Sequence, residues 1–445
     1  MEINSGDTAW ILASSALVLL MTPGLALFYG GMTRAKSVLN MMMMSFGALG
    51  LVSVLWMLYG YSLAFDDDAF GGLVGGLGKI GLKGTLTGVS GTLPETVFAS
   101  FQLMFAVITV ALISGAIADR AKFGAWMVFA GVWATLVYFP VAHWVFAFDS
   151  DTTKGGWIAN QLGALDFAGG TAVHINAGAA GLALALVLGK RKGWPRESFK
   201  PHNLPLVLLG AGLLWFGWFG FNAGSAVAAN NTAGIAFINT QVATAAAVLS
   251  WLVIEKVRDK HATTLGAASG AVAGLVAITP ACGSVNPVGA LVIGLLAGAV
   301  CALAVGLKYR LGFDDSLDVV GVHLVGGLAG SLLIGLLATD TVVADTNGLF
   351  YGGGFGLLGK QFIASIAVLA YSFILTYIIG FIINKTMGFR VDDEAEIEGI
   401  DTAVHAESAY DFVSGSSVRS SIVGGPAPAG INDQSVREAA PAGKE

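Results

Sequence analysis

The chain has 445 residues, 55% of them hydrophobic and 12% charged, with a formal net charge of −6 and a mean hydropathy of +0.74. Soluble domains carry roughly 25% charged residues, so a deficit spread along most of the length excludes a soluble enzyme with one anchor and predicts an all-α polytopic membrane protein. The two cysteines, Cys282 and Cys301, lie in or beside apolar segments and predict no disulfide, metal site or redox role, while the 62 glycines suit close helix packing in lipid.

The opening "MEINSGDTAW" holds no Lys or Arg. A secretory signal needs a positive region before its apolar stretch, so the first segment reads as a retained helix with its N-terminus outside. About 20 apolar residues cross a bilayer, and eleven candidate spans follow. Span 8–30 is followed by Arg34 and Lys36. Span 38–64 leads to the acidic loop "FDDDAFGG" (65–72), with Lys79 and Lys83 beyond it. Span 95–117 precedes Arg120 and Lys122. After span 123–146 comes "FDSDTTKGG" (148–156), which includes Lys154. Span 167–189 precedes Lys190, Arg191, Lys192, Arg196 and Lys200. Spans 204–222 and 232–255 come next, then Lys256, Arg258 and Lys260. Span 263–279 is short and Gly/Ala-rich. Span 288–306 precedes Lys308 and Arg310. Spans 319–338 and 358–384 complete the set, with Lys360 at the edge of the last and Lys385 and Arg390 after it. Sixteen basic residues thus fall on one side and four on the other, the distal tail excluded. The positive-inside rule puts the N-terminus out and the C-terminus in, and an odd number of spans agrees.

From about Gly388 the character changes. Residues 1–387 read as the membrane domain. Residues 388–445 read as a cytoplasmic tail that opens "GFRVDDEAEIEGIDTAVHAESAYDF", and its distal part, with "VSGSSVRSS" and "GGPAPAG", is expected to be disordered.

Of the six histidines, only His174 and His323 fall deep within spans, in the fifth and tenth. "HINAGAAG" (174–181) and "HLVGGLAG" (323–330) share a histidine, a glycine four residues later and a glycine seven later. Those positions lie on one helix face, so each imidazole shares a stripe with glycines that admit a close neighbour. Five spans separate the copies. An odd offset makes the halves, about 8–189 and 204–338, two five-helix inverted repeats followed by a long eleventh helix, and it brings the histidines together near the midplane. Ionisable residues at such depth mark substrate paths. Asp166 and Asp318 precede the two histidines. Asp318 reads as a cap for its helix. Asp166, roughly 12 Å above His174 at about 1.5 Å per residue, reads as a cap or as an acid on the floor of an outer vestibule.

Five motifs in order carry a family resemblance: "TPGLALFYGG" (22–31), "FQLMFAVIT" (101–109), "DFAGGTAVHIN" (166–176), "GWFGFNAGSA" (217–226) and "DVVGVH" (318–323). Together they resemble the ammonium transporter (Amt/Mep/Rh) family, in its bacterial Amt branch. The resemblance implies a homotrimer in the cell membrane, each subunit with a narrow apolar pore. It implies an outer ammonium site from Phe105, Ser225 and an aromatic at Trp144 or Phe146. It further implies a gate of Phe101, Phe105 and Phe221, twin pore histidines His174 and His323, a pore-lining Trp218, and Asp166 as the acid near the recruitment site. Many bacterial members have Trp where Phe146 stands, and the loop 147–160 is longer than in compact members, so Trp144 and Phe146 both stand as candidates.

Aromatic faces attract cations, and a serine oxygen accepts from N–H. A full charge crosses an apolar pore at high cost, so the pattern implies ammonium bound outside, deprotonated at the gate and carried as ammonia. No cofactor and no nucleic-acid partner is expected. A PII-type regulator at the cytoplasmic face is implied by the resemblance. Two other classes compete. One is an ammonium sensor signalling through its tail; the other is a haem protein ligated by His174 and His323. No phosphate-cradling loop, paired-Cys motif or nucleophile–base pair supports a pump or hydrolase.

Overall fold

A computed structural model of the chain describes residues 2–151 and 153–410. Among them are ten helices long and apolar enough to cross a membrane, plus one shorter apolar helix. In chain order they are α1 (Ser5–Met32), α2 (Ala35–Phe65), α3 (Glu95–Ile117), α4 (Phe123–Phe146), α5 (Gly170–Leu188), α6 (Leu204–Gly224), α7 (Asn231–Asp259), the shorter α8 (Thr264–Ile278), α9 (Pro287–Leu311), α10 (Val320–Leu337) and α11 (Gly356–Thr386). Outside the helices, the described strands form one two-stranded hairpin, β1 (Val89–Ser90) with β2 (Leu93–Pro94).

Local chemistry sets the helix starts. Asn4, Asn203, Asn230, Thr263 and Asn286 each accept, through the side chain, a backbone N–H three residues on, which satisfies one of the orphan donors of a first turn. The 15 residues of α8 span only about 22 Å at 1.5 Å each, short of the roughly 30 Å hydrocarbon core. Its exit is a buried run of turns from Thr279 to Val285. At the other extreme, α11 has 31 residues, about 46 Å of helix, and a membrane accommodates that length by tilt.

The halves interlock through their corresponding helices. α1 packs along α6, the first helix of each half, and Gly210 of α6 lies against the backbone of Phe28. α5 and α10 cross at the histidines. The glycine four residues after each histidine sits on the opposite helix: Gly178 against the Leu324 backbone, and Gly327 against His174. α11 crosses behind them, turning Gln361, Ser365, Ser372 and Thr376 inward.

Residues up to Ala409 form one compact unit. Within it, the segment after α11 is bonded to the loops. Val391 N–H donates to Arg120 O at 2.9 Å, Arg390 pairs with Glu396 at 2.6 Å, and the Asp401 carboxylate accepts Leu39 N–H and Asn40 N–H at 2.9 and 2.8 Å. The part of the tail expected to be disordered lies outside the described residues.

Candidate substrate path

Asp166 organises the start of α5. Its Oδ1 accepts Gly169 and Gly170 N–H at 2.8 and 2.7 Å, and its Oδ2 accepts Thr171 N–H at 2.7 Å and the Thr171 hydroxyl at 2.5 Å. Burial pushes this carboxyl above the usual carboxylate range, and the Thr171, Gly169 and Gly170 bonds pull it only part of the way back. The first turn is wound as a π-helix, Gly170–Ile175, and carries His174; such turns recur at functional sites. α10 begins the same way, with π-turn Val320–Leu324 carrying His323.

The expectation that Asp318 caps α10 is corrected by the structure. With φ +63°, Asp318 directs its carboxylate to Lys308 Nζ at 2.7 Å. Asp315 is the cap, accepting Val319 and Val320 N–H at 3.1 and 2.7 Å. Sequence reasoning missed it, although Asp315 precedes His323 by eight residues, as Asp166 precedes His174.

A cavity of about 1070 Å³ is lined by Phe105, Phe146, Asp166 and Ser225 among others. The Ser225 hydroxyl donates to Phe221 O at 2.8 Å, which commits its proton and leaves its oxygen as an acceptor. The ring of Phe105 lies 6.3 Å from that of Phe146, 4.9 Å from Phe101 and 4.3 Å from Phe221. Phe101, Phe105 and Phe221 are fully buried; Phe105 lines the cavity, and the other two rings pack against it to form a floor. Trp144 is engaged elsewhere: its Nε1–H donates to Leu73 O at 2.7 Å, and its ring lies 4.7 Å from Tyr371. The structure therefore brings Phe146, not Trp144, to Phe105.

Beneath the floor, Phe221 lies 6.2 Å from the His174 ring, and Trp218 stacks on that ring at 5.5 Å and 25°. Thr279 fixes Trp218. Its Oγ1 accepts the indole N–H at 2.8 Å while donating to Leu275 O at 2.7 Å. Thr279, like Thr171, gave no signal in the sequence, since each acts through a residue distant or on another turn. His174 Nδ1 and His323 Nδ1 are 3.3 Å apart. One nitrogen donates and the other accepts, so the two rings are opposite tautomers when both are neutral. Among the described residues, the buried Nε2 of His174 has no hydrogen-bond partner. A void of about 10 Å³ beside the two rings is walled by apolar side chains including Leu25, Phe28, Val173 and Leu214. That is the size at which a single water-sized molecule just fits.

The profile of the Ammonium Transporter Family matches residues 9–410. The chain is 64% identical over 435 residues to an ammonium transporter of Mycobacterium tuberculosis, covering 92% of this chain and 91% of the relative. It is 49% identical over 413 residues to an ammonium transporter of Bacillus subtilis, covering 92% and 99%. Among solved structures, Mep2 of Saccharomyces cerevisiae aligns with TM-score 0.82 at 38% identity, over 88% of this chain and 89% of that one. A sensor Amt protein aligns with TM-score 0.83 at 28% identity, over 89% and 98%. With its apolar helices and a match along nearly the whole described length, this multi-pass membrane protein belongs to the ammonium transporter family.

Proposed function

We propose that the chain admits ammonium at an outer site of Phe105, Phe146 and Ser225, removes a proton at the floor formed by Phe101, Phe105 and Phe221, and passes ammonia along Trp218, His174 and His323 to the cytoplasm. The observation that carries this is continuity: cavity, ring floor and paired imidazoles follow one another without a break. Magnitudes favour a neutral species in the lower half. Each aromatic face offers a cation about 0.5–2 kcal/mol. Moving a bare ion of ammonium size into a low-dielectric lumen costs on the order of 20 kcal/mol in the ideal limit and several after relaxation. Two rings and a hydroxyl hold the ion at the mouth; they do not carry it through. Ammonia has one lone pair and three N–H groups, and imidazole nitrogens can serve both as donor and as acceptor.

In this reading α8 also crosses the membrane, the N-terminus faces out, and the basic loops and the tail face in. The subunit works within a homotrimer, as the family resemblance implies, and the inner face is the surface open to a PII-type regulator. The likeness to a sensor Amt protein gives a sensing role as the second reading, and ammonium uptake by the purified chain in vesicles separates the two. The test of the histidine role is the double variant His174→Ala with His323→Ala. It should lose discrimination, so that potassium competes with ammonium in vesicle currents. Unchanged rate and unchanged discrimination would remove the histidines from the mechanism.

A further inference from the structure

A second cavity, of about 440 Å³, lies away from the histidine path, where the α5–α6 loop meets the end of α9. Arg191, Trp194, Arg196, Glu197, Lys308 and Tyr309 are among the residues of its wall. Two of its cations are fixed by acids. Arg191 pairs with Asp314 at 2.9 Å and Asp119 at 3.1 Å; Lys308 pairs with Asp318 at 2.7 Å and donates to Asp315 O at 2.9 Å. Trp194 and Tyr309 stack nearly parallel, 6° apart at 5.7 Å, and Lys190 Nζ stands 5.1 Å from the Trp194 centroid. The wall is therefore built and rigid.

Arg196 is different. Among the described residues, no hydrogen bond or ion pair engages its guanidinium, nor the hydroxyl of Ser198 beside it. Glu197 does not neutralise it, because its carboxylate folds back over Gly193. A free planar fork in the same wall as two positioned cations and a hydroxyl suits the several oxygens of a phosphate group. In the sequence these basic residues register only as a topology signal, and the proposed transport path does not use them.

We propose that this cavity binds a phosphate group, with Arg196 as the free fork and Arg191 and Lys308 as the fixed cations. The chemistry is shared by a free phosphate compound and by a phospholipid headgroup of the adjacent leaflet. The fixed cations are bonded to Asp314, Asp315 and Asp318, the segment that leads directly into the π-turn of His323, so the site adjoins the start of α10.

The full chain in phosphatidylcholine nanodiscs tests this by equilibrium dialysis against labelled inorganic phosphate and ATP. Native mass spectrometry in parallel counts retained phosphatidylglycerol. We expect one saturable site per chain. Arg196→Glu, an exposed residue with no bonds to lose, should weaken it at least tenfold. Lys200→Glu, on the same loop but outside the cavity wall, should leave it within twofold. Saturation by phosphate or ATP assigns a free phosphate compound; retention of phosphatidylglycerol alone assigns a lipid headgroup. Absence of saturable binding by all three probes, or equal weakening by both variants, would overturn the proposal.

Discussion

Asp166 caps α5, and a variant separates that role from the proposed one in drawing ammonium. Its two oxygens collect five donors from the first turn of α5, which is more than a cap requires, and the same carboxylate lines the large cavity. Asp166→Asn keeps one acceptor oxygen and removes the charge. If the charge draws ammonium toward the floor, the variant should fold with a loss of about 2–3 kcal/mol, the scale of the two or more hydrogen bonds whose acceptor it replaces, yet transport at least tenfold more slowly at low substrate. Thermal melting and uptake measured on one preparation separate the two effects. Near-normal uptake would leave Asp166 a cap alone. At this scale the sequence was legible where chemistry repeats in the chain and silent where it does not. His174 and His323 announced themselves by position in matching apolar spans. Phe146 could not be chosen over Trp144, because the choice rests on which ring Leu73 and Tyr371 engage, and both partners are remote in sequence.

The crossing of α5 and α10 governs the path at the next scale. A Cβ on Gly178 would stand 2.5 Å from the Leu324 backbone N, whereas one on Gly327 would stand 3.0 Å from the His174 Cβ. Backbone cannot yield as a side chain can. Gly178→Ala should therefore force the helices apart, with a loss of about 1–3 kcal/mol typical of overpacking and a clear loss of transport. Gly327→Ala should be milder on both counts. Melting temperatures and uptake of the two single variants check this ordering, and the reverse ordering would contradict the packing account. The glycine stripes were readable as i+4 and i+7 repeats. Asp318 stands nearer to His323 in the chain, but Asp315 has the eight-residue spacing that Asp166 has from His174, and it is the spacing that the cap follows. The short α8 carried too few residues for length alone to settle its role.

Across the whole molecule, the loops after α1, α3, α5 and α9 meet in a charged cluster. Arg34 and Arg191 share Asp119 at 3.4 and 3.1 Å, and Arg191 and Arg120 share Asp314 at 2.9 and 3.8 Å. Burial raises the Asp314 carboxyl, but the Arg191 hydrogen bonds and the neighbouring guanidinium charges outweigh it and hold it below the usual carboxylate range. These basic loop residues therefore tie the two halves of the chain together on one face. Composition made the membrane class legible, since it is a sum over many residues. The cavity at Arg196 was not legible, since it depends on loops folding onto one another. The account as a whole rests on one claim, that the carried species must give up a proton to pass the ring floor. Vesicles containing the unaltered chain test it through paired flux measurements with methylammonium and with potassium, a cation close to ammonium in size that has no proton to release. The account predicts saturable methylammonium uptake and no potassium flux above that of empty vesicles. Potassium flux comparable to methylammonium, with both histidines in place, would contradict it.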